Sequence, residues 1–208
     1  GIKPSVCCTT PLVPGAIEQN ISARRRRQPP LDFWPPACYC EHRLAEERRW
    51  VRMRGMHRAN RKVSYAQARR ILEKAEYGVL STVCDDGLPY GVPLSFVLSG
   101  NAIYFHCAAE GQKLDNIMHD SRVCLTAVAS AQTLPDRFSV RYESAMAFGT
   151  AHIVYGEDER IAALRRLCQK YAPQKTEEEL AAYMNKLIVH TTVIRLDVEY
   201  ISGKSSAQ

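Results

Sequence analysis

The sequence lacks several features that would assign it at once to a common class of protein. No run approaches the roughly 18 apolar residues of a membrane-spanning helix, so no membrane span is expected. The first residues show no basic start followed by an apolar core, so we expect no signal peptide and a cytoplasmic protein. The motifs GxGxxG and GxxxxGK[ST] are also missing, which argues against the common dinucleotide and P-loop phosphate sites.

The eight cysteines do not suggest a disulfide framework. Four lie before residue 41, and the other four fall mostly inside apolar, strand-like runs, as expected for buried free thiols. Cys38, Cys40 and His42 would make half of a metal site, but structural zinc normally takes two well-spaced ligand pairs. No second pair lies nearby, so no metal is predicted.

The net charge of +6 is concentrated in the N-terminal quarter of the chain. Residues 1–56 contain ten basic and five acidic side chains, which leaves the remainder with a net charge of only +1. A nearly neutral globular part has no strong attraction for a polyanion, so no nucleic-acid partner is predicted.

Residues 1–55 do not have the pattern of a folded domain. Proline is frequent, apolar periodicity is absent, and the positive charges of Arg24–Arg27 repel one another. We predict that this segment is a disordered or non-native extension and that the functional protein begins at Met53 or Met56. A single domain is then expected over residues 56–208.

The domain shows six strand-like runs, over residues 79–84, 88–98, 102–107, 122–129, 142–155 and 193–201. Helices are predicted over residues 66–76, 111–119, 158–171 and 176–187, with Ser64 capping the first and a capping box of Thr176 and Glu179 opening the last. Pro89 and Pro93 indicate an edge or a bulge in the second strand. Antiparallel strands joined by tight turns predict a closed or partly closed β-barrel.

Residues 88–116 carry the pattern that best indicates a binding site. They predict a strand, a turn, a second strand that ends at His106, and a helix start that carries Lys113. A lysine in the first helical turn favours an anion, so this unit suits a phosphorylated planar cofactor. No catalytic triad is evident, and Asp85 and Asp86 are better explained by the turn at Gly87. A cofactor that carries the redox chemistry itself would explain that absence.

Four blocks between Tyr65 and Lys204 point to a known family: ILEKAEYGVLSTVCDDGLPYGVPLSFV, AIYFHCAAEGQKLDNI, RYESAMAFGTAHIV and VIRLDVEYISGK. Together they resemble the pyridoxamine 5′-phosphate oxidase-like flavin-binding split barrels, and most closely the 5-nitroimidazole resistance type. The resemblance implies a mainly β fold with short helices, namely a six-stranded antiparallel split β-barrel. It also implies a homodimer with an FMN molecule in each of two clefts at the subunit interface.

The resemblance further implies where the cofactor lies. The backbone after the first hairpin would lie along the flavin, and the end of the next strand would lie beside its ring. A basic residue beyond that strand would bind the phosphate, and the partner's long fifth strand would bring a polar residue to the flavin. The matching positions are Val92, Pro93, Leu94, Ser95, Phe105, His106, Lys113, and Glu143 or Ser144.

The sequence departs from the true oxidases of this family. Their arginine and lysine are missing from the strand matched by residues 91–96, and Gln112 stands where the phosphate site has a second basic residue. Their C-terminal tryptophan and arginine have no match either. We therefore do not expect oxidation of pyridoxamine phosphate.

His106 is the one candidate catalytic residue. A neutral imidazole can donate a hydrogen bond to a flavin or substrate oxygen, although a strand-end histidine satisfied by the backbone is the simpler alternative. We predict an FMN-dependent, nitroreductase-like oxidoreductase that reduces a small acceptor, such as a nitroimidazole, with electrons from NAD(P)H. The alternative is a non-catalytic flavin- or heme-binding protein, because some relatives bind heme or a deazaflavin and His106 is a possible axial ligand.

Overall fold

The computed structural model describes residues 54–188 and 191–206. Almost all of the predicted N-terminal extension is outside this range, so its disorder stays a prediction. The residues singled out there, which also lie outside the described residues, are Arg24–Arg27, Cys38, Cys40, His42 and Met53.

One antiparallel sheet of seven strands forms the body of the domain. The order of the strands across the sheet is β2-β1-β5-β6-β7-β4-β3. Their bounds are β1 Gly78–Val83, β2 Pro89–Leu94, β3 Phe96–Ser99, β4 Ala102–Cys107, β5 Arg122–Leu134, β6 Ser139–Ile153 and β7 Thr192–Ser205.

In the part of the chain that the structure describes, four α-helices pack around this sheet: α1 Tyr65–Lys74, α2 Gln112–His119, α3 Glu157–Tyr171 and α4 Glu177–Leu187. The Ser64 cap is confirmed, and so is the capping box in which the Thr176 hydroxyl accepts from the backbone N–H of Glu179. Short 3-10 turns occur at Ala59–Arg61 and Pro135–Arg137. Within the described residues, no helix is long and apolar enough to span a membrane.

Ser95 divides the second predicted strand into two. Residues 88–98 form β2 and β3 instead of one strand, which makes seven strands where the sequence predicted six. The two halves lie at opposite ends of the strand order. Because a single residue joins them, the sheet must roll until the end of β2 lies beside the start of β3, which gives a split β-barrel as predicted. Pro89 and Pro93 indeed lie on an edge strand, since β2 pairs with β1 alone among the described strands.

The barrel has an inner and an outer hydrophobic cluster. Inward side chains such as Leu80, Phe105 and Leu125 are fully buried, and α1 adds Leu72 to the same cluster. Each large apolar side chain buried in this way contributes about 1.5–3 kcal/mol. The outer cluster forms where α3 and α4 pack on the barrel, and it includes Leu164 with a second set of buried residues: Val154, Ala163, Leu167, Met184 and Val193.

The outer face of β1, β5 and β6 carries no described helix, and it exposes apolar side chains among polar ones such as Ser81 and Thr126. Val79, Val128 and Met146 are all exposed there, with Met146 at 39%. The register explains their clustering, because Val79 pairs with Thr126 and Thr126 pairs with Met146. We call the surface around Val79, Val128 and Met146 the open apolar face.

Gly149 lies at an irregularity in the long strand β6. The register of β6 against β7 shifts between Phe148 and Gly149. A Cβ atom placed on Gly149 would lie 1.8 Å from the carbonyl oxygen of Asp197. At Gly149 the backbones of β6 and β7 therefore approach each other more closely than any side chain at this position would allow.

We expect Gly149→Ala to lower the free energy of unfolding by about 3 kcal/mol or more, because the obstructing atom belongs to the backbone and cannot rotate away. Gly91→Ala is the matched control, since its Cβ would meet only the Val79 side chain at 3.5 Å, an ordinary contact. Urea unfolding followed by circular dichroism measures both. Equal midpoints for the two variants would contradict this account of the bulge.

Candidate functional site

Ser95 and His106 lie together at the split in the barrel. In the β3–β4 pair Phe96 stands opposite Phe105, and one further step in the same register places Ser95 opposite His106. Both residues line a cavity of about 730 Å³ that is closed on its other side by α3 and α4. We call this cavity the α3–α4 pocket.

The α3–α4 pocket has an apolar floor and a polar rim. Leu164, Leu167 and Leu180 are buried and form the floor. The other residues that matter for its chemistry lie on the two helices and the turn between them: Cys168, Tyr171, Lys175, Glu179, Tyr183 and Lys186. The volume and the mainly apolar lining fall within the range of small-molecule sites, which is about 300–1,000 Å³.

His106 is the titratable group at the mouth of this pocket. Partial burial lowers the pKa of its imidazole below the ordinary value of about 6.5. The ring is therefore neutral at pH 7, with one nitrogen that donates and one that accepts. A neutral ring can orient a ligand oxygen or coordinate a metal centre through its free nitrogen.

The last turn of α3 holds the backbone at the strand break. The Tyr171 hydroxyl accepts a hydrogen bond from the N–H of Phe96 at 2.9 Å and lies 2.6 Å from the carbonyl oxygen of Glu76. Lys170 Nζ donates to the carbonyl oxygens of Ala75 and Phe96, at 2.8 and 2.9 Å. Burial lowers the pKa of Lys170 and raises the pKa of Tyr171. These contacts tie Phe96, the residue after Ser95, to the segment that precedes β1.

Lys113 lies in the first turn of α2 and is half-buried. The helix is fixed by the buried Asn116, whose Nδ2 donates to Thr82 Oγ1 at 2.8 Å while its Oδ1 accepts from Gln112 at the same distance. The first N–H groups of a helix have no acceptor within it, so they and the lysine together favour an anion. Asp115, in the same turn, opposes that preference in part.

Lys113 is also close to the end of the strand that carries His106. The pKa of the Cys107 thiol is raised by burial, and the positive charge of Lys113 offsets part of that rise. Cys107 packs against the inner cluster, as expected for a buried thiol. The end of β4 and the start of α2 are therefore neighbours in space.

The remaining predicted site residues are spread over the barrel. Val92 and Leu94 are half-buried and pack against the inner cluster, whereas Pro93 points outward and is exposed. The Phe105 side chain is fully buried, so its backbone is what a ligand could reach.

Glu143 and Ser144 lie on β6 and are both half-buried. Side chains alternate along a strand, so Ser144 shares the open apolar face with Met146, whereas Glu143 lies on the side of buried Ala145. Neither residue lines the α3–α4 pocket, and nor does Lys113.

Sequence reasoning missed the contributions of α3 and α4 to this site. The periodicity located both helices, but it did not indicate which strands they would cover. The buried Asn116 was also missed, because an amide in a short helix has the same sequence signature whether it faces solvent or the interior.

No metal centre is evident in residues 54–188 and 191–206. No group of three or more histidine, cysteine, aspartate or glutamate side chains is arranged there to hold an ion. The cysteines described in this range are free thiols.

Solved structures share this fold. A proposed 5-nitroimidazole antibiotic resistance protein of Bacteroides thetaiotaomicron matches with a TM-score of 0.58 and 22% identity, over 69% of this chain and 85% of that chain. A FAD and heme binding protein of Mycobacterium smegmatis matches with a TM-score of 0.56 and 20% identity, over 71% and 74%. A FAD-binding protein of Mesorhizobium loti matches with a TM-score of 0.51 and 18% identity, over 71% and 98%. At these identities the similarity shows the fold.

The sequence comparison identifies the family. No curated protein matched the chain. The family model for pyridoxamine 5′-phosphate oxidase, however, matches residues 64–205, which is well over half of the sequence. This match agrees with the seven-stranded split barrel and with the four sequence blocks. The chain belongs to the pyridoxamine 5′-phosphate oxidase family.

Proposed function

We propose that this protein is an FMN-binding oxidoreductase that passes electrons from NAD(P)H to a small acceptor such as a nitroimidazole. The observation that carries the proposal is the arrangement around β4. A neutral His106 and Ser95 open onto a 730 Å³ pocket, and Lys113 at a helix start lies beside the next residue of the strand. Family membership supports this reading, as do two similar structures that are named as FAD-binding proteins.

The residues present fit a phosphorylated flavin. Lys113 and the first N–H groups of α2 supply the donors that a phosphate needs, with Asp115 as the one opposing charge in that turn. Ser95 and the neutral His106 offer hydrogen bonds without placing a charge beside the ring. A flavin bound there supplies the two-electron chemistry, and the protein binds and orients it.

The role of His106 follows from its protonation state. As a neutral imidazole it can donate one hydrogen bond to an oxygen of the acceptor and hold that group in place. In the net reaction a nitro group gains two electrons and two protons, loses water and becomes a nitroso group. NAD(P)H supplies the hydride and becomes NAD(P)+, and the remaining proton comes from solvent.

The open apolar face supports a homodimer. Exposed apolar side chains grouped on one face of a sheet are typical of an interaction surface. Ser144 lies on this face next to Met146, so a second copy bound there would bring its own Ser144 to the interface. We propose that this contact completes the FMN cleft.

A heme-binding protein is the second candidate function. Its support is the imidazole of His106, which is neutral and opens into a cavity, as an axial ligand must. One of the similar structures is named a FAD and heme binding protein.

The absorption spectrum of the purified full-length protein tests the two functions. We expect two flavin bands, which disappear on anaerobic addition of NADH or NADPH and return when a nitroimidazole is added. A single Soret band that is lost in His106→Ala would favour heme instead. A colourless protein that takes up neither FMN nor heme on titration would overturn both candidates.

Lys113→Ala should weaken FMN binding about ten- to hundredfold, because a hydrogen bond from a charged donor contributes about 1.5–3 kcal/mol. Riboflavin, which lacks the phosphate, should bind equally well to the variant and the parent. Lys74→Ala is the matched control, since Lys74 is exposed at the end of α1. Fluorescence titration measures the affinities, and an unchanged FMN affinity in Lys113→Ala would refute the phosphate assignment.

Met146→Arg should convert the dimer to a monomer, because it places a charge in the middle of the open apolar face. Tyr155→Arg is the control, since Tyr155 is 84% exposed beyond the end of β6. Sedimentation velocity gives the mass of each variant, and bound FMN is measured on the same samples. A Met146→Arg protein that remains dimeric would exclude this face as the interface.

A further inference from the structure

We propose that the α3–α4 pocket is the acceptor site and that it selects flat aromatic acceptors with a negatively charged substituent. This inference rests on the proposed function and names the substrate class of that site. It assigns the specificity to α3 and α4, which supply most of the lining, and not to the barrel strands.

The position of the pocket suits a second ligand beside the cofactor. Ser95 and His106 belong both to the pocket and to the residues expected to contact the flavin, whereas Lys113 does not line the pocket. The phosphate-binding lysine is thus not part of the pocket. A molecule in the pocket would have His106 and Ser95 on one side and the two helices on the other.

The lining favours an aromatic molecule. The floor consists of buried leucines, and the Tyr183 side chain is 56% exposed although it lines the cavity. Tyr171 lines it as well. An aromatic ligand can pack its faces against such rings and its edges against the leucines.

The rim carries an excess of positive charge. Lys175 Nζ pairs with Glu179 Oε1 at 2.8 Å, so these two charges offset each other. Lys186 has neither an ion pair nor a hydrogen bond with any residue that the structure describes. Because His106 is neutral, the charge of Lys186 makes the net charge of the pocket positive. A carboxylate or sulfonate on the ligand would pair with this lysine.

Two matched probes test the charge preference. Isothermal titration of the oxidised full-length protein, without NAD(P)H, compares 4-nitrobenzoate with the neutral 4-nitrobenzyl alcohol. We expect the benzoate to bind about two- to fivefold more tightly, because a partly exposed ion pair contributes up to about 1 kcal/mol. Lys186→Glu should abolish this preference, and Lys186→Arg should keep it. Equal affinities for the two probes in the parent protein would overturn the anionic class.

A pair of tryptophan variants tests the location. Ala182 lines the pocket and Ala181, its neighbour on α4, does not, although both are exposed on the same helix. Ala182→Trp should fill the cavity and weaken 4-nitrobenzoate binding at least tenfold, by about the 1.4 kcal/mol that tenfold represents. Ala181→Trp should bind as the parent does. Equal binding by both variants would remove the pocket as the site.

Anaerobic kinetics separate this inference from the proposed function. In flavin-loaded protein, Ala182→Trp should raise the KM for 4-nitrobenzoate. The rate at which NAD(P)H reduces the flavin, measured as the loss of flavin absorbance (bleaching), should stay unchanged. If the protein takes up no flavin, the proposed function fails and the acceptor role fails with it. If flavin is bound and bleached but Ala182→Trp leaves the KM unchanged, the proposed function stands and the pocket assignment alone is wrong.

Discussion

The single residue between β2 and β3 is the constraint on which the rest of the structure depends. Ser95 joins two strands that lie at opposite ends of the strand order, so the sheet must curl until the end of β2 reaches the start of β3. Curling creates the interior that Leu80, Phe105 and Leu125 fill. It also creates an outer surface, part of which α3 and α4 cover and part of which stays open.

The same link explains why the site lies where it does. Ser95 faces His106 because β3 continues directly from it, and the last turn of α3 fixes that geometry through Lys170 and Tyr171. The helix that fixes the strand break therefore also lines the pocket beside it. Fold and site share one set of contacts, so a change in this turn would affect both.

Local sequence patterns predicted most of the fold. Alternation and turn residues located the strands, Pro89 and Pro93 marked an edge, and Thr176 with Glu179 marked a helix start. The break at Ser95 was missed because residues 88–98 read as one continuous strand, and only the partner strands distinguish its halves.

The site was harder to predict for the same reason. Ser95 and His106 do lie in one pocket, but the faces covered by α3 and α4 depend on contacts between distant segments, which periodicity does not encode. The cofactor roles of Val92, Pro93, Leu94, Phe105, Lys113, Glu143 and Ser144 stay predictions.

The two sheet edges have a consequence for how this protein meets other molecules. An exposed strand edge is a template for pairing with another chain and a source of aggregation. Here the Phe96 N–H and carbonyl are occupied by Tyr171 and Lys170, and β2 carries two prolines that cannot donate. Strand addition is thereby discouraged at both edges, so a partner would meet the faces of the sheet, where side chains and not backbone groups decide which partner fits.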